Sequence, residues 1–207
     1  MYPDARCELH YETPFQLLVA TMLSAQSTDA KVNEVTRTLF RRFPDAEAFA
    51  ALTPEALVPH IQSIGLYQTK SQNIVAAARL IVERHGGEVP RDFDALVALP
   101  GVGRKTANVV LSTAFGLPAL AVDTHVFRVS RRLGLAHGET PERVEAELQA
   151  RIPMSEWAIT HHRLIWHGRR ICRARRPACE TCPLIADCPH ARASDAENDI
   201  DNGSALL

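Results

Sequence analysis

Apolar residues recur along the chain with the spacing of helices. Phe15, Leu18, Val19, Met22 and Leu23 stand at i, i+3, i+4, i+7 and i+8, which places them on one face of a helix. No segment alternates apolar and polar residues as a half-buried strand does. The pattern therefore predicts an all-α protein of about ten short helices joined by short loops.

Local signals mark where the predicted helices begin and end. The dipeptide Thr-Pro opens three of them, at Thr13, Thr53 and Thr140, with the threonine as N-cap and the proline in the first turn. Further N-caps are expected at Ser27 or Asp29, Asp92, Asp123 and Ser155. Glycine ends helices by adopting a left-handed conformation, and Gly116 and Gly134 stand where helices are expected to stop.

Composition and charge change this picture only locally. Hydrophobic residues make up 46% of the 207, the net charge is −1, and no membrane span or export signal is visible, so a cytoplasmic location is expected. Residues 193–207 hold four acids and no base, which predicts a disordered tail. Residues 168–179 instead hold five arginines, and this run is either a solvated surface or a contact for phosphates.

The segment LPGVGRKT (residues 99–106) predicts a tight turn between two helices. It fits neither the P-loop nor the dinucleotide-binding fingerprint, because the required residues and strands are missing. Gly101 and Gly103 are expected to take positive φ and so to let a phosphate approach the backbone N–H groups. The alternative is a plain αα-hairpin with no ligand.

Lysine is scarce, since the chain has only Lys31, Lys70 and Lys105 beside twenty arginines. Lys105 falls in the first turn of a predicted helix, where its charge opposes the helix dipole. Either a bound phosphate compensates for this charge, or the residue serves as an amine nucleophile. Asp123 follows eighteen residues later, as a simple N-cap or as an acid that accepts a proton or stabilises positive charge on a sugar.

Four cysteines near the end are spaced C-x6-C-x2-C-x5-C. In an intracellular chain such a group predicts a metal site with four thiolate ligands rather than disulfides. Zinc and a 4Fe–4S cluster both suit four thiolates, and the spacing alone does not decide between them. The ligands are expected to be Cys172, Cys179, Cys182 and Cys188.

Taken together, these motifs resemble the endonuclease III family, helix–hairpin–helix DNA glycosylases with an associated lyase activity. The resemblance extends to about His190 and includes SAQSTD (24–29), IGLYQTK (64–70), GEVP (87–90), LPGVGRKTANVV, AVDTH, HH…HGR (161–169) and the four cysteines, in the expected order. It implies a six-helix barrel domain with the hairpin over residues 7–117, and an α-helical 4Fe–4S domain over 1–6 and 118–192. A DNA-binding groove is implied between them, followed by the acidic tail at 193–207.

The resemblance also implies roles for single residues. Lys105 falls at the family's catalytic lysine, Asp123 at its catalytic aspartate, and the four cysteines at the ligands of the cluster. Gln26 and Leu66 match residues that fill the gap left by a flipped nucleotide, with Ile64 pressing on the opposite strand; without the resemblance, Leu66 and Ile64 would be assigned to the core. Further DNA contacts are expected at Gly101, Gly103, Arg104, Arg173, Arg175 and Arg176.

The implied function is a bifunctional DNA glycosylase/AP lyase of base-excision repair. It would remove oxidised pyrimidines from duplex DNA and cleave the abasic site by β-elimination through a lysine Schiff base. The expected partner is double-stranded DNA at the nucleoid, with no membrane and a monomeric enzyme. The alternatives are a monofunctional glycosylase, whose family pattern lacks a lysine at position 105, and a non-enzymatic DNA-binding module held together by zinc.

Overall fold

The structure, a computed structural model, describes residues 1–192, so the predicted acidic tail lies outside the described residues. Over residues 1–188 the chain forms ten α-helices, three short 3-10 helices and no strand, as the periodicity predicts, and residues 189–192 are again helical. The α-helices are α1 (Pro14–Ser24), α2 (Asp29–Arg42), α3 (Ala46–Ala50), α4 (Pro54–Ile61), α5 (Tyr67–His85), α6 (Phe93–Val97), α7 (Arg104–Phe115), α8 (Thr124–Arg132), α9 (Pro141–Arg151) and α10 (Trp157–Arg170). The 3-10 helices are Met154–Glu156, Cys179–Thr181 and Ile185–Asp187. No helix in this part of the chain is both long and apolar enough to cross a membrane.

Side-chain caps open most of these helices. The hydroxyls of Thr13, Thr53 and Thr140 accept hydrogen bonds from the backbone N–H three residues on, at 3.2, 3.2 and 3.3 Å, which confirms the Thr-Pro prediction. Asp92 and Asp123 cap α6 and α8 as predicted.

Three cap positions differ from the prediction. Thr28, not Ser27 or Asp29, caps α2, because Thr28 is the residue with extended backbone whose hydroxyl reaches the N–H of Lys31. Ser155 lies inside a 3-10 turn, so α10 begins without a side-chain cap. The cap at Asp45 was not foreseen.

The predicted helix stops are confirmed. Gly116 ends α7 with a φ of 64°, a left-handed conformation that glycine adopts without steric penalty. Gly134, with a φ of 70°, follows the last turn of α8 after Leu133.

The chain divides into two compact units. The large unit is Cys7–Ala119, and the small unit joins Met1–Arg6 to the chain from Leu120 onward. The boundary predicted from sequence, after residue 117, lies two residues earlier than this one, because Ala119 is buried in the core of the large unit. The assignment of the units to a barrel domain and a cluster domain stays a prediction.

The large unit is built around α1, which is buried from Phe15 to Leu23. A helix that is buried all round must be surrounded by others, and α1 packs against α2, α5 and α7. α5 also packs against α3 and α4. The Phe49 ring of α3 meets the Phe15 ring of α1, with 5.3 Å between centroids. This arrangement fixes where α5 and α7 begin.

The small unit has a narrower core on α8. This helix packs against α9 and α10, and its Val126 and Val129 are fully buried with Leu148 and Leu164. The N-terminal segment joins the same unit, since the Tyr2 ring packs edge-on against Trp166 at 6.2 Å. The core ends at Cys172, the first of the four grouped cysteines.

Candidate active site and cysteine cluster

The glycine turn joins α6 to α7 and requires glycine at only one of its two positions. Gly101 has a φ of 74°, and a Cβ there would stand 2.7 Å from the Cβ of Asn73, so a side chain is excluded. Gly103 differs from the prediction of positive φ. It is the extended N-cap of α7, with φ −94° and ψ 173°, and a Cβ there would meet nothing within 4 Å. The correction follows from the cap itself, because an N-cap residue takes the β region.

The N-terminus of α7 has no side-chain cap, in contrast to the threonine- and aspartate-capped helices. The first hydrogen bond of the helix runs from the N–H of Ala107 to the carbonyl of Gly103, so the amides of Arg104, Lys105 and Thr106 precede it. Arg104 is exposed, and its guanidinium lies over the Phe93 ring of α6 at 5.0 Å. The turn therefore combines helix N-terminal amides with a fixed positive charge, which suits an anion.

The three lysines have different surroundings. The Nζ of Lys70 is buried and donates to the carbonyls of Leu23 and Ala25 at 2.8 and 2.6 Å. Lys31 is half-buried on α2 and forms an ion pair with Glu34 at 3.0 Å. Lys105 is half-buried in the first turn of α7.

Lys105 has a thiol in its surroundings. Burial raises the pKa of Cys7, and the charge of Lys105 acts against that rise. Both residues are half-buried and belong to the large unit.

Asp123 is the N-cap of α8 in the small unit. Its Oδ1 accepts a hydrogen bond from the N–H of Val126 at 2.8 Å, which confirms the cap predicted from sequence. The side chain is half-buried. The segment just before it is held from α10, where the buried His161 has its Nδ1 2.7 Å from the carbonyl oxygen of Ala121. The backbone is thus held both before Asp123, by the contact of His161 with Ala121, and after it, by the cap bond to Val126.

The four grouped cysteines line one cavity in the small unit, together with His167. Burial, and then the three neighbouring thiols, raise the pKa of Cys179, so the four sulfurs act on one another electrostatically. Arg132 donates to Cys172 Sγ at 3.5 Å, and the Nε2 of His167 lies 3.8 Å from Cys182 Sγ. Within residues 1–192 no set of three or more His, Cys, Asp or Glu side chains converges closely enough to hold a single metal ion.

The arginine run forms a closed loop over residues 171–178. The carbonyl of Ile171 accepts from the N–H of Arg173 at 2.8 Å and from the N–H of Ala178 at 3.0 Å, which ties the two ends together. Arg132 of α8 donates to the carbonyls of Arg173 and Ala174 at 2.7 and 3.1 Å. The side chains of Arg173, Arg175 and Arg176 are all exposed on this loop.

Two predicted gap-filling residues have an unusual backbone in common. Gln26 and Leu66 are left-handed, with φ of 57° and 58°, and both are exposed; Leu66 shows 56% of its surface. Ile64 differs from these two residues, because it is 1% exposed and packs in the core of the large unit. Its contact with the opposite DNA strand stays a prediction. Because the turn reverses after Ile64, its neighbour Leu66 points outward while Ile64 points in.

Several known proteins are similar to this chain in sequence and in fold. The sequence profile of the HhH-GPD superfamily of base excision DNA repair proteins matches residues 19–154. Endonuclease III of Bacillus subtilis (strain 168) is 52% identical over 196 residues, which is 94% of this chain and 90% of that protein. Endonuclease III of Escherichia coli (strain K12) is 46% identical over 193 residues, or 93% and 92% of the two. A trapped endonuclease III–DNA covalent intermediate matches with a TM-score of 0.90 and 50% identity, over 94% of this chain and 92% of that one.

This chain belongs to the endonuclease III family. Its all-α fold class is the one predicted, and its activity is that of a base-excision repair DNA glycosylase with AP lyase activity. These identities cover almost the whole length of each relative, so the comparison concerns the complete architecture of the family rather than a single shared motif.

Several residues that organise this endonuclease III site were missed from sequence. Lys70 carried a signal, because it occupies the same face as Ile74, Ala77 and Ile81, the buried stripe of α5. Arg132 and His161 carried none that could be used, since the carbonyls they bind belong to residues about 40 positions away along the chain. Such contacts follow only from the packing of α8 against α10.

Proposed function

We propose that Lys105 is the nucleophile with which this chain removes oxidised pyrimidines from duplex DNA and cleaves the resulting abasic site. The distribution of the three lysines carries this proposal. Lys70 is buried with its amine bonded to two carbonyls, and Lys31 is ion-paired with Glu34 on α2. Lys105 alone stands beside a turn suited to phosphate, which is where a sugar–phosphate backbone would present a nucleotide.

The chemistry follows from an amine at C1′ of the damaged nucleotide. The Lys105 Nζ, once deprotonated, bonds to C1′, while the glycosidic bond breaks and the base leaves with its electron pair. Ring opening gives a Schiff base that acidifies C2′. A proton then leaves C2′ and the C3′–O bond breaks, with the electron pair departing on the 3′ phosphate. Water hydrolyses the Schiff base and frees the lysine.

Asp123 is proposed to assist this attack. Its carboxylate would accept the proton of the amine or stabilise positive charge that develops on the sugar. The cap supports this role, because Oδ1 is bonded to the N–H of Val126 and thereby fixes the direction of the whole carboxylate. The segment before Asp123 is held by His161, which limits its movement further.

DNA binding is proposed to combine two kinds of phosphate contact. Gly101, Gly103 and Arg104 would hold one phosphate through backbone amides and a guanidinium, a contact that grips the backbone without reading sequence. Arg173, Arg175 and Arg176 would hold others from the closed loop, whose backbone is already fixed by Arg132. Binding should therefore weaken steeply as salt is raised.

Gln26 and Leu66 are proposed to occupy the space that the flipped nucleotide leaves. Extruding a base costs a few kcal/mol (about 2–4), and a damaged base that stacks poorly lowers this cost. Both side chains are exposed on left-handed turns, as probes of a duplex must be. Ile64, two residues before Leu66, is assigned to the opposite strand rather than to the gap, and its side chain is buried.

A 4Fe–4S cluster held by Cys172, Cys179, Cys182 and Cys188 is proposed for the small unit. The residues fit this group, because four thiols, the ligand set of a 4Fe–4S cluster, line one cavity. Arg132 donates to one of these sulfurs, which suits a negatively charged cluster. When bound, the cluster supplies a cross-link that stabilises the small unit. We place the enzyme, as a monomer, in the cytoplasm at the nucleoid, where its substrate lies.

Borohydride reduction of the Schiff base tests the nucleophile. Wild-type protein, incubated with duplex DNA containing an oxidised thymine, should form a covalent adduct that Lys105→Gln does not form. Lys31→Gln removes another half-buried lysine and is the matched control, so it should trap as well as wild type. An adduct of full yield in Lys105→Gln, or none in wild type on damaged or abasic DNA, would refute the proposal.

Asp123→Asn tests the acid. Asparagine preserves an N-cap oxygen, so the variant should fold and bind damaged DNA while excising the base at least ~100-fold more slowly. Unimpaired single-turnover excision would remove Asp123 from the mechanism.

A further inference from the structure

We propose that Lys70 is a positioning residue, which holds Gln26 and Leu66 in the arrangement needed to fill a gap in the duplex. This inference rests on the proposed function, because it concerns the two side chains placed there in the gap. Lys70 itself touches no DNA, since it is buried.

Lys70 is bonded to both turns at once. Its side-chain amine donates to the carbonyl of Ala25, the residue directly before Gln26, at 2.6 Å. Its backbone N–H donates to the carbonyl of Leu66 at 3.0 Å, in the first turn of α5. One residue therefore spans the two left-handed turns, with a single side chain as the link.

The two turns are also in direct contact. A Cβ on Gly65 would stand 3.5 Å from the carbonyl oxygen of Gln26, so the backbones before Leu66 and at Gln26 lie against one another. The positions of Gln26 and Leu66 are thus coupled. The buried amine of Lys70 adds a second link, through its hydrogen bond to the carbonyl of Ala25.

The charge of Lys70 suits this task. The second acceptor of its amine is the carbonyl of Leu23, at 2.8 Å, in the last turn of α1. The C-terminal carbonyls of a helix lack partners within it and carry the negative end of its dipole. The buried amine of Lys70 thus donates to two carbonyls at the end of α1 that have no hydrogen-bond donor within the helix. Removing it would release the end of α1 and, with it, the turn at Gln26.

The functional consequence concerns steps that need the gap to be filled. Two left-handed non-glycine residues are held in an unfavourable conformation, which persists only where surrounding structure enforces it. If Lys70 enforces it, loss of the amine should slow base extrusion and leave the attack of Lys105 intact. A residue that merely stabilised the large unit would instead affect every reaction of the enzyme alike.

Lys70→Met is the decisive variant, because it keeps the length of the side chain and removes its donors. Two substrates separate the steps: a duplex with an oxidised thymine, which requires extrusion, and a single strand with a preformed abasic site, which does not. We expect excision from the duplex to slow by up to about 100-fold while strand cleavage at the single-stranded abasic site stays within about twofold of wild type. 2-Aminopurine placed opposite the lesion should also lose the fluorescence change that accompanies gap filling.

Two controls define the result. Lys31→Met removes the ion-paired lysine of α2 and should behave as wild type on both substrates. Ile74→Val, on the same buried face of α5, lowers stability without touching either turn and should also leave the ratio of the two rates unchanged. If Lys70→Met does not fold, Lys70→Gln keeps an N–H donor group without the charge and serves in the same comparison.

A variant that cleaves both substrates as wild type does, or that loses both activities in parallel, would overturn the role of Lys70. Failure of wild type itself on both substrates would instead reject the proposed function, so the two failures are distinguishable.

Discussion

The two units of this protein hold themselves together by different means. The core cluster of the large unit contains 29 buried hydrophobic residues, among them the fully buried Phe49 and most of α1. The core cluster of the small unit contains nine buried hydrophobic residues among those that the structure describes. One of these nine is Cys172. Because apolar burial is the main stabilising term in folding, the large unit has the means to fold by itself.

The proposed catalytic residue of each unit depends on the way that unit is stabilised. The large unit places Lys105 at the start of a helix packed in a complete core, so the position of the amine depends on ordinary apolar packing. The small unit places Asp123 on a helix whose far end binds the arginine loop through Arg132. The carboxylate is therefore connected, through α8, to the segment that the four cysteines would fix.

The largest expected effect comes from removing a cysteine of the small unit. Cys188→Ser should abolish iron binding and unfold the small unit, because nine buried hydrophobic residues offer too little core to replace the cross-link. Both tryptophans, Trp157 and Trp166, belong to this unit, so their fluorescence reports on it alone. Cys7→Ser, in the large unit, is the control and should retain iron. Native tryptophan emission from iron-free Cys188→Ser would contradict the contrast between the units.

A core deletion in the large unit should act in the opposite sense. Phe49→Ala removes a ring that is 0% exposed and lies 5.3 Å from Phe15 and 5.8 Å from Phe43, and it should lower the free energy of unfolding by about 3–5 kcal/mol. Urea unfolding followed by far-UV circular dichroism measures this loss. Iron content should stay at the wild-type level, and a parallel loss of iron would show that the units do not hold their structures separately.

Acid should weaken the small unit through His162. Burial, and then the neighbouring His161, lower the pKa of His162 from 6.5 to about 4. Between these values the unfolded chain binds more protons than the folded one, so stability is complete above pH 6.5 and declines as the pH falls toward 4. Melting temperatures between pH 4.5 and 7.5 should therefore change less with pH in His162→Gln. An unchanged slope would exclude His162 as the cause, and His137→Gln, exposed in the same unit, is the control.

The smallest effect should be equal in the two units. Thr53→Ala in the large unit and Thr140→Ala in the small unit each remove the same N-cap hydrogen bond, of 3.2 and 3.3 Å, and should each cost about 1 kcal/mol. Thermal unfolding of the two single variants makes the comparison. A much larger loss for Thr140→Ala would show that the small unit amplifies even a local change.

The sequence predicts much of this fold because helices depend on local signals. The apolar spacing of α1, the three Thr-Pro caps and the stop at Gly116 are each decided within a few residues, and the structure confirms them. The N-cap prediction was wrong where several adjacent residues can each cap the same helix. At 27–29 three residues can each cap a helix, and the left-handed turn at Gln26 decides in favour of Thr28.

The candidate site was predictable to the extent that its chemistry lies in rare residues at fixed spacing. Three lysines and four grouped cysteines leave few alternatives. Exposure could not be deduced in the same way: Ile64 and Leu66 are two positions apart and equally apolar, yet one is in the core and the other in solvent. The positive φ of Leu66 reverses the direction of the chain there, and the spacing of apolar residues does not predict this positive φ.

By itself the sequence determined the helices, their caps, the glycine turn before Lys105 and the set of thiols, since each depends on the chemistry of residues close along the chain. Tertiary structure decided which lysine is buried, which apolar residue faces solvent, and how Arg132 and His161 support segments 40 residues away. Those outcomes depend on how whole helices pack, because a side chain's exposure and partners are set by the neighbours that the fold brings to it.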